Sequence, residues 1–173
     1  MCSSDLFGNL AQRVLSMIAK NLNGLLPTDP EKNWADLKVL ERVLIACGED
    51  VPNSFEILDF SGGIDRWMQA TFACNKYIDE QAPWTLRKTD HDRMSVVLAN
   101  LYECIAHLAI AILPVIPESA GKLLDQMGIP LENRTYDGLH GGAWYKTLNS
   151  GDFTLAAPTP LFPRLELSAE AAI

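Results

Sequence analysis

Apolar residues recur along most of this chain at the three- and four-residue spacing of an α-helix, and no stretch alternates strongly enough for a sheet. Phe7, Leu10, Ala11, Val14, Ile18 and Leu22 mark the inner face of a first helix, capped by Ser4 or Asp5 and closed at Asn23-Gly24. Asn9, Arg13, Ser16 and Lys20 form a polar stripe on a different face. After the turn LLPTDP a second helix is expected from about Pro30 to Cys47, with Asp29 as cap, Pro30 at its first position and Gly48 as its stop. Trp34, Leu37, Leu40, Val43 and Leu44 would be its core face, and it carries no evident chemistry. A third helix is expected from about Ser54 to Asp79 or Glu80, with Ile64, Trp67, Met68, Phe72 and Ile78 as its core stripe. The SGG at Ser61 to Gly63 costs ~1 kcal/mol per glycine in a helix interior and marks a kink or a close helix crossing.

Pro83 fixes its own φ and drives Ala82 out of the helical region, so the third helix should stop near Gln81 and leave Trp84 at a corner. A basic loop, TLRKTD, follows and ends in Asp90, the cap of the most apolar helix, from about His91 to Leu113. Met94, Val97, Leu98, Leu101, Ile105, Leu108 and Ile112 would place that helix at the centre; Pro114 ends it. Pro117 and Glu118 open a short helix to Met127, stopped by Gly128. Residues 134–153 suit one or two short helices between glycine turns, and LAAPTPLFPRLE reads as an extended tail laid on the surface, before a frayed end. The fold class is therefore all-α. A helix bundle over about 5–128 carries an irregular tail over about 129–173, in a single domain.

With 173 residues, 48% of them hydrophobic and 21% charged, the chain can bury a sizeable core and is not a disordered segment. Cys2, Cys47, Cys74 and Cys104 are scattered with no CxxC pair, which suggests reduced, buried thiols and neither a zinc site nor a disulfide framework. MCSSDL is not a signal peptide, and Asn100, Glu103 and His107 interrupt the apolar run from Val96 to Ile116. Both observations point to a soluble, cytoplasmic protein without a membrane partner. The net charge of -8 opposes nucleic-acid binding unless the cations cluster, and Arg13, Lys20, Lys76, Arg87, Lys88 and Arg93 do concentrate in or beside a few segments.

Those segments carry a resemblance. NKYIDEQAPW, Asn75 to Trp84, is similar to the anticodon-recognition segment of bacterial methionyl-tRNA synthetases, and the TLRKTD stretch and long helix follow it as in that family. FGNLAQRVLSMIAKN, Phe7 to Asn21, resembles the first helix of the same anticodon-binding domain, its NLAQR matching the family's NLAxR residue for residue. LPVIPESAGKLLDQMG, Leu113 to Gly128, resembles the closing helices, and PTPLFPRLE fits the ending. The resemblance spans nearly the whole chain in the right order. It implies the helix bundle of the class I aminoacyl-tRNA synthetase anticodon-binding type, and the pairing of NLAQR with QAPW favours methionine over isoleucine, valine, leucine or cysteine enzymes.

The resemblance further implies that Asn9, Arg13 and Trp84 recognise the first base of the methionine anticodon CAU, with Pro83 setting the corner and Asn75 beside it. It places Asp79 near the anticodon, where repulsion would disfavour wrong loops. Without the resemblance, Trp84 is a half-buried packing residue, Trp67 a core residue, and the stripe with Asn9 and Arg13 a solvated face. No catalytic residue is expected. HIGH-like and KMSKS-like motifs are missing, LHGG at Leu139 to Gly142 is a glycine turn, and Asp79-Glu80 point to different faces. His91, His107 and His140 read as cap, core or turn residues rather than metal ligands. The resemblance thus implies an isolated chain with no cofactor of its own, since ATP and methionine bind the catalytic domain of a parent methionine-tRNA ligase. Its partners would be that domain and methionine tRNA, not DNA. A helical protein-interaction or structural module without RNA affinity is the alternative, motivated by the net charge and by the missing enzyme body.

Overall fold

The first helix, α1 (Ser3–Asn21), already contains Ser4 and Asp5, so neither is its cap; no Pro or Gly between Ser3 and Leu6 stops the helical turn from extending back over them. The computed structural model describes residues 3–28, 30–139 and 154–161. Phe7, Leu10, Ala11, Val14 and Ile18 are buried as the pattern requires, while Asn9, Arg13 and Lys20 are exposed. Asn23 and Gly24 close the helix with positive φ, 53° and 74°.

The second helix, α2 (Trp34–Ile45), starts four residues later than expected. Asn33 Oδ1 accepts from the Ala35 and Asp36 backbone amides at 2.9 and 3.1 Å, and Asp36 Oδ2 accepts from the Asn33 N–H at 2.8 Å. This reciprocal capping box satisfies the donors that would otherwise be orphaned, and it replaces the expected start at Pro30; Asp29 lies outside the described residues. The buried face is Asp36, Val39, Leu40 and Val43. Trp34, Leu37 and Leu44 are therefore exposed, a correction whose physical cause is Asp36: its buried ion pair with Arg93 fixes the rotation of the helix. Gly48 does not stop the chain. One π-helical turn (Ala46–Asp50) carries it into α3 (Val51–Glu56), because Cys47 and Val51 are both buried and hold the segment against the core.

The long third helix divides. α3 ends in a turn at Leu58, φ 62°, and α4 (Phe60–Gln81) begins after Asp59, whose Oδ1 accepts from the Gly62 amide at 2.9 Å. The SGG thus lies in the first turn of α4 rather than in a helix interior. It does permit a close crossing, since a Cβ on Gly63 would stand 2.5 Å from the Phe55 ring of α3. Trp67 and Ile78 are buried, and Trp67 Nε1 donates to the Leu108 carbonyl at 2.8 Å. Phe72 is exposed instead of buried, because the inner face runs through Ala70, Thr71, Cys74 and Tyr77.

After Ala82 the expected basic loop is a short helix, α5 (Pro83–Thr89), with Pro83 in its first turn and Arg87 and Lys88 in its last, where cations favour the dipole. Asp90 Oδ1 accepts from the Arg93 amide at 2.9 Å and caps α6 (His91–Ile112) as expected. Helices α1, α2, α4, α5 and α7 (Pro117–Gln126) all pack on α6. All seven of its expected core residues, Met94 to Ile112, are buried; each large one contributes ~1.5–3 kcal/mol. By length and composition α6 could cross a membrane, but 83% of its most apolar window is buried inside the bundle. Gly128, φ 69°, ends α7, and a 3-10 turn (Leu131–Asn133) and α8 (Tyr136–Leu139) follow. Among the described residues there is no strand. Cys47, Cys74 and Cys104 are buried free thiols, and Cys2 and His140 lie outside the described residues.

The tail between 154 and 161 runs extended across the bundle. The Leu155 amide donates to the Gly24 carbonyl at 3.0 Å, Leu155 is buried, Gln12 Nε2 donates to the Pro158 carbonyl at 3.4 Å, and the Thr159 amide donates to Gln126 Oε1 at 2.8 Å. A Cβ on Gly24 would sit 2.5 Å from the Leu155 carbonyl oxygen. Gly24→Ala combines that clash with a left-handed backbone, so it should cost ~1–2 kcal/mol and release the tail. A lowered melting temperature together with faster proteolysis at 154–161 is the expected result.

Candidate functional site

Helices α1 and α4 lie side by side. Phe7 and Trp67 meet edge to face with centroids 5.1 Å apart, and Asn75 Nδ2 donates to the Leu6 carbonyl at 3.5 Å and to the Thr71 carbonyl at 3.0 Å. That pairing brings the polar stripe of α1 beside the last turn of α4. The Arg13 guanidinium meets Asp79 there, Nη2 to Oδ1 3.0 Å, with both side chains well exposed. The same guanidinium lies over the Trp84 indole, its Cζ 5.1 Å from the ring centroid. At an exposed site such a cation–π contact is worth ~0.5–1 kcal/mol.

Of the residues singled out from sequence, Arg13, Asp79 and Trp84 therefore form one contiguous group. Asn9 is exposed one turn before Arg13 on the same helix, its side chain without a hydrogen-bond partner among the described residues. Trp84 is 42% exposed, so it is neither a core residue nor a free one. Pro83 is buried and can shape the corner but not touch a ligand broadly. The Asn75 amide is turned to backbone carbonyls, where it ties α4 to α1. Lys76 pairs with Glu80 at 3.6 Å on the outer surface. Arg93, one of the cations counted with the basic cluster, is not on that surface.

Arg93 instead enters a buried node that sequence reasoning missed. Its Nη1 and Nη2 donate to Asp36 Oδ2 and Oδ1 at 2.6 and 2.7 Å, and Nη2 also donates to Gln81 Oε1 at 2.6 Å. Tyr77 OH donates to Asp36 Oδ1 as well, and Asn100 Nδ2 donates to the Asp36 carbonyl at 3.1 Å. Burial pushes the Asp36 carboxyl up, but the Arg93, Tyr77 and Asn33 hydrogen bonds outweigh it and hold it below its ordinary value. Burial, reinforced by the bond to Asp36, pushes the Tyr77 phenol far up, and the bond to Asp36 raises Arg93 further. Asn33-x-x-Asp36 was a visible capping signal; the partners on other helices were not.

Elsewhere a cleft of about 480 Å³ between α2 and α4 is lined by Lys38, Glu41, Arg42, Ile45, Arg66 and Gln69, and shares no residue with the Arg13 group. Burial lowers the His107 pKa, consistent with a neutral core imidazole. Among the described residues no three His, Cys, Asp or Glu side chains come close enough to hold a metal ion. The Arg13 group combines an indole ring, the planar guanidinium that lies over it and, one turn away, the Asn9 amide. Such a set stacks a planar ring and reads its edge.

Residues 65–171 match the family model for the anticodon-binding domain of methionyl tRNA ligase. The chain is 37% identical over 161 residues to the methionine–tRNA ligase of Mesorhizobium japonicum, covering 91% of this chain and 30% of that protein. With the Rickettsia bellii methionine–tRNA ligase it is 31% identical over 94% of this chain and 32% of the other. The free-state crystal structure of Mycobacterium tuberculosis methionyl-tRNA synthetase superposes with a TM-score of 0.82 at 32% identity, covering 95% of this chain and 33% of that one. The chain spans about a third of the length of these relatives.

Proposed function

We propose, because the chain belongs to the methionyl-tRNA ligase family as its anticodon-binding domain, that its Asn9–Arg13–Trp84 surface reads the first base of the methionine anticodon CAU. The observation that carries this is the Arg13 guanidinium, held by Asp79 at 3.0 Å over a half-exposed Trp84 ring. Cytosine presents O2 and N3 as acceptors and N4 as a donor. Arg13 can donate to the acceptors, while the Asn9 amide can both donate and accept. Uracil reverses part of the pattern with a donor at N3 and an acceptor at O4, and each polar group left unpaired costs ~1–3 kcal/mol.

A net charge of -8 gives little general attraction for phosphate, so selectivity rests on stacking and base-edge bonds. Asp79 adds to it by orienting Arg13 and by repelling loops whose phosphate would come too near. Asn75 and the buried Pro83 support the surface rather than contact the base. In this reading methionine tRNA is the partner, and methionine and ATP react on a catalytic domain outside this chain, which takes no cofactor and does not aminoacylate alone. Its setting is the cytoplasm, with neither DNA nor membrane as partner. Arg13→Ala should bring the affinities for stem-loops carrying CAU and UAU loops together. Equal loss for both would make Arg13 a phosphate contact only.

A further inference from the structure

The corner that presents Trp84 is strained, and its support comes from a distance. Ala82 has φ 44° and ψ 59°, the left-handed region that a residue with a Cβ rarely occupies. Such a conformation persists where its surroundings over-determine it. After the corner, the Thr85 and Leu86 amides donate to the Ala82 carbonyl at 2.8 and 3.3 Å, and Pro83 is buried. Before it, the Ala82 amide donates to the Ile78 carbonyl at 3.0 Å, and Gln81 receives Arg93 Nη2 at 2.6 Å. Arg93 also donates its backbone amide to Asp90, the residue that ends α5 and caps α6. One residue therefore grips both ends of the segment that carries Trp84, and Asp36, whose side chain is fully buried, holds its guanidinium with two bonds. Trp84 itself is 42% exposed, so packing holds only part of its ring.

We propose that the Gln81–Arg93 bond is a clasp that positions Trp84 for the base, which makes Gln81 and Arg93 positioning residues for anticodon recognition although neither touches RNA. This rests on the recognition reading above. Asp36 anchors the clasp, and breaking the node at Asp36 would confound orientation with stability. Gln81 is the separable part: half-buried, neutral, and bonded to Arg93 by its amide oxygen.

The test uses the 173-residue chain with 5-fluorotryptophan, the Trp84 resonance being assigned by its loss in Trp84→Phe. Gln81→Met keeps length and packing but removes the acceptor; Gln81→Glu keeps an acceptor for Arg93. Expected for Gln81→Met are a moved or broadened Trp84 fluorine resonance, roughly tenfold weaker binding of the CAU stem-loop, and a cooperative unfolding transition lowered by only a few degrees, with the resonance position restored in Gln81→Glu. An unmoved Trp84 resonance, or a moved one with undiminished CAU binding, overturns the clasp. If the unsubstituted chain fails to prefer CAU, the recognition reading falls, and the fluorine spectra still decide whether the clasp sets Trp84. Should Gln81→Met fold poorly, Gln81→Ala removes the same acceptor with a stronger helix former. It should move the Trp84 resonance and weaken CAU binding, and an unmoved resonance or unchanged binding would overturn the proposal.

Discussion

Asp36→Ala should destabilise the protein by ~3–5 kcal/mol. The carboxylate is fully buried and accepts four hydrogen bonds, two from Arg93, one from Tyr77 OH and one from the Asn33 amide. Its removal strands a mostly buried guanidinium, leaves a buried phenol without its partner and opens the capping box of α2. In denaturant unfolding the midpoint should fall with little change in slope. Acid should act on the same group. The folded carboxyl sits below its ordinary 3.8, so its contribution is complete above that value and is lost as pH falls through the lower folded value. The stability gap between the parent chain and Asp36→Ala should therefore narrow below about pH 4. A gap that stays constant through that range would mean Asp36 is not held ionised by Arg93.

Trp84→Ala should weaken binding of a CAU stem-loop by ~1–3 kcal/mol, roughly five- to 150-fold, and leave helix content and melting temperature nearly unchanged. The asymmetry follows from position. Trp84 is 42% exposed with the exposed Arg13 over its ring, so its truncation opens no enclosed cavity in the core. For a base, the loss is the platform and the surface on which Arg13 rests. Isothermal titration beside thermal unfolding separates the two effects. A collapse of the fold would reassign Trp84 to the core.

What was legible in the sequence is what local physics decides. Gly24, Pro83, Asp90, Pro117 and Gly128 punctuate the helices where they should, because a left-handed turn, a fixed φ or a cap needs only near neighbours. The seven core positions of α6 were readable because a central helix buries almost every turn. The rotation of α2 was not, since it is set by Asp36 meeting Arg93, 57 residues away. Trp34 and Leu37 look like core residues until that ion pair turns them outward. TLRKTD read as a loop because polar residues dominate it, yet Pro83 opens a helix there and Arg87 and Lys88 suit its last turn. At the site, NLAQR and QAPW pointed to Asn9, Arg13 and Trp84 through a family likeness, while the contact of Arg13 with both Asp79 and Trp84 depends on how α1 lies along α4. The bond between Gln81 and Arg93 gave no signal, because Gln81 read only as a helix end and Arg93 only as one of the clustered cations until α4 and α6 are placed.

The central claim is that this surface distinguishes cytosine from uracil at the first anticodon position. Titration of the chain with one stem-loop carrying a CAU loop and one carrying UAU, at a single fixed low salt concentration, tests it directly. Tighter binding of CAU, by about tenfold or more for one set of mismatched base-edge bonds, is the predicted result. Equal affinity for the two loops, or no binding of either, would contradict it.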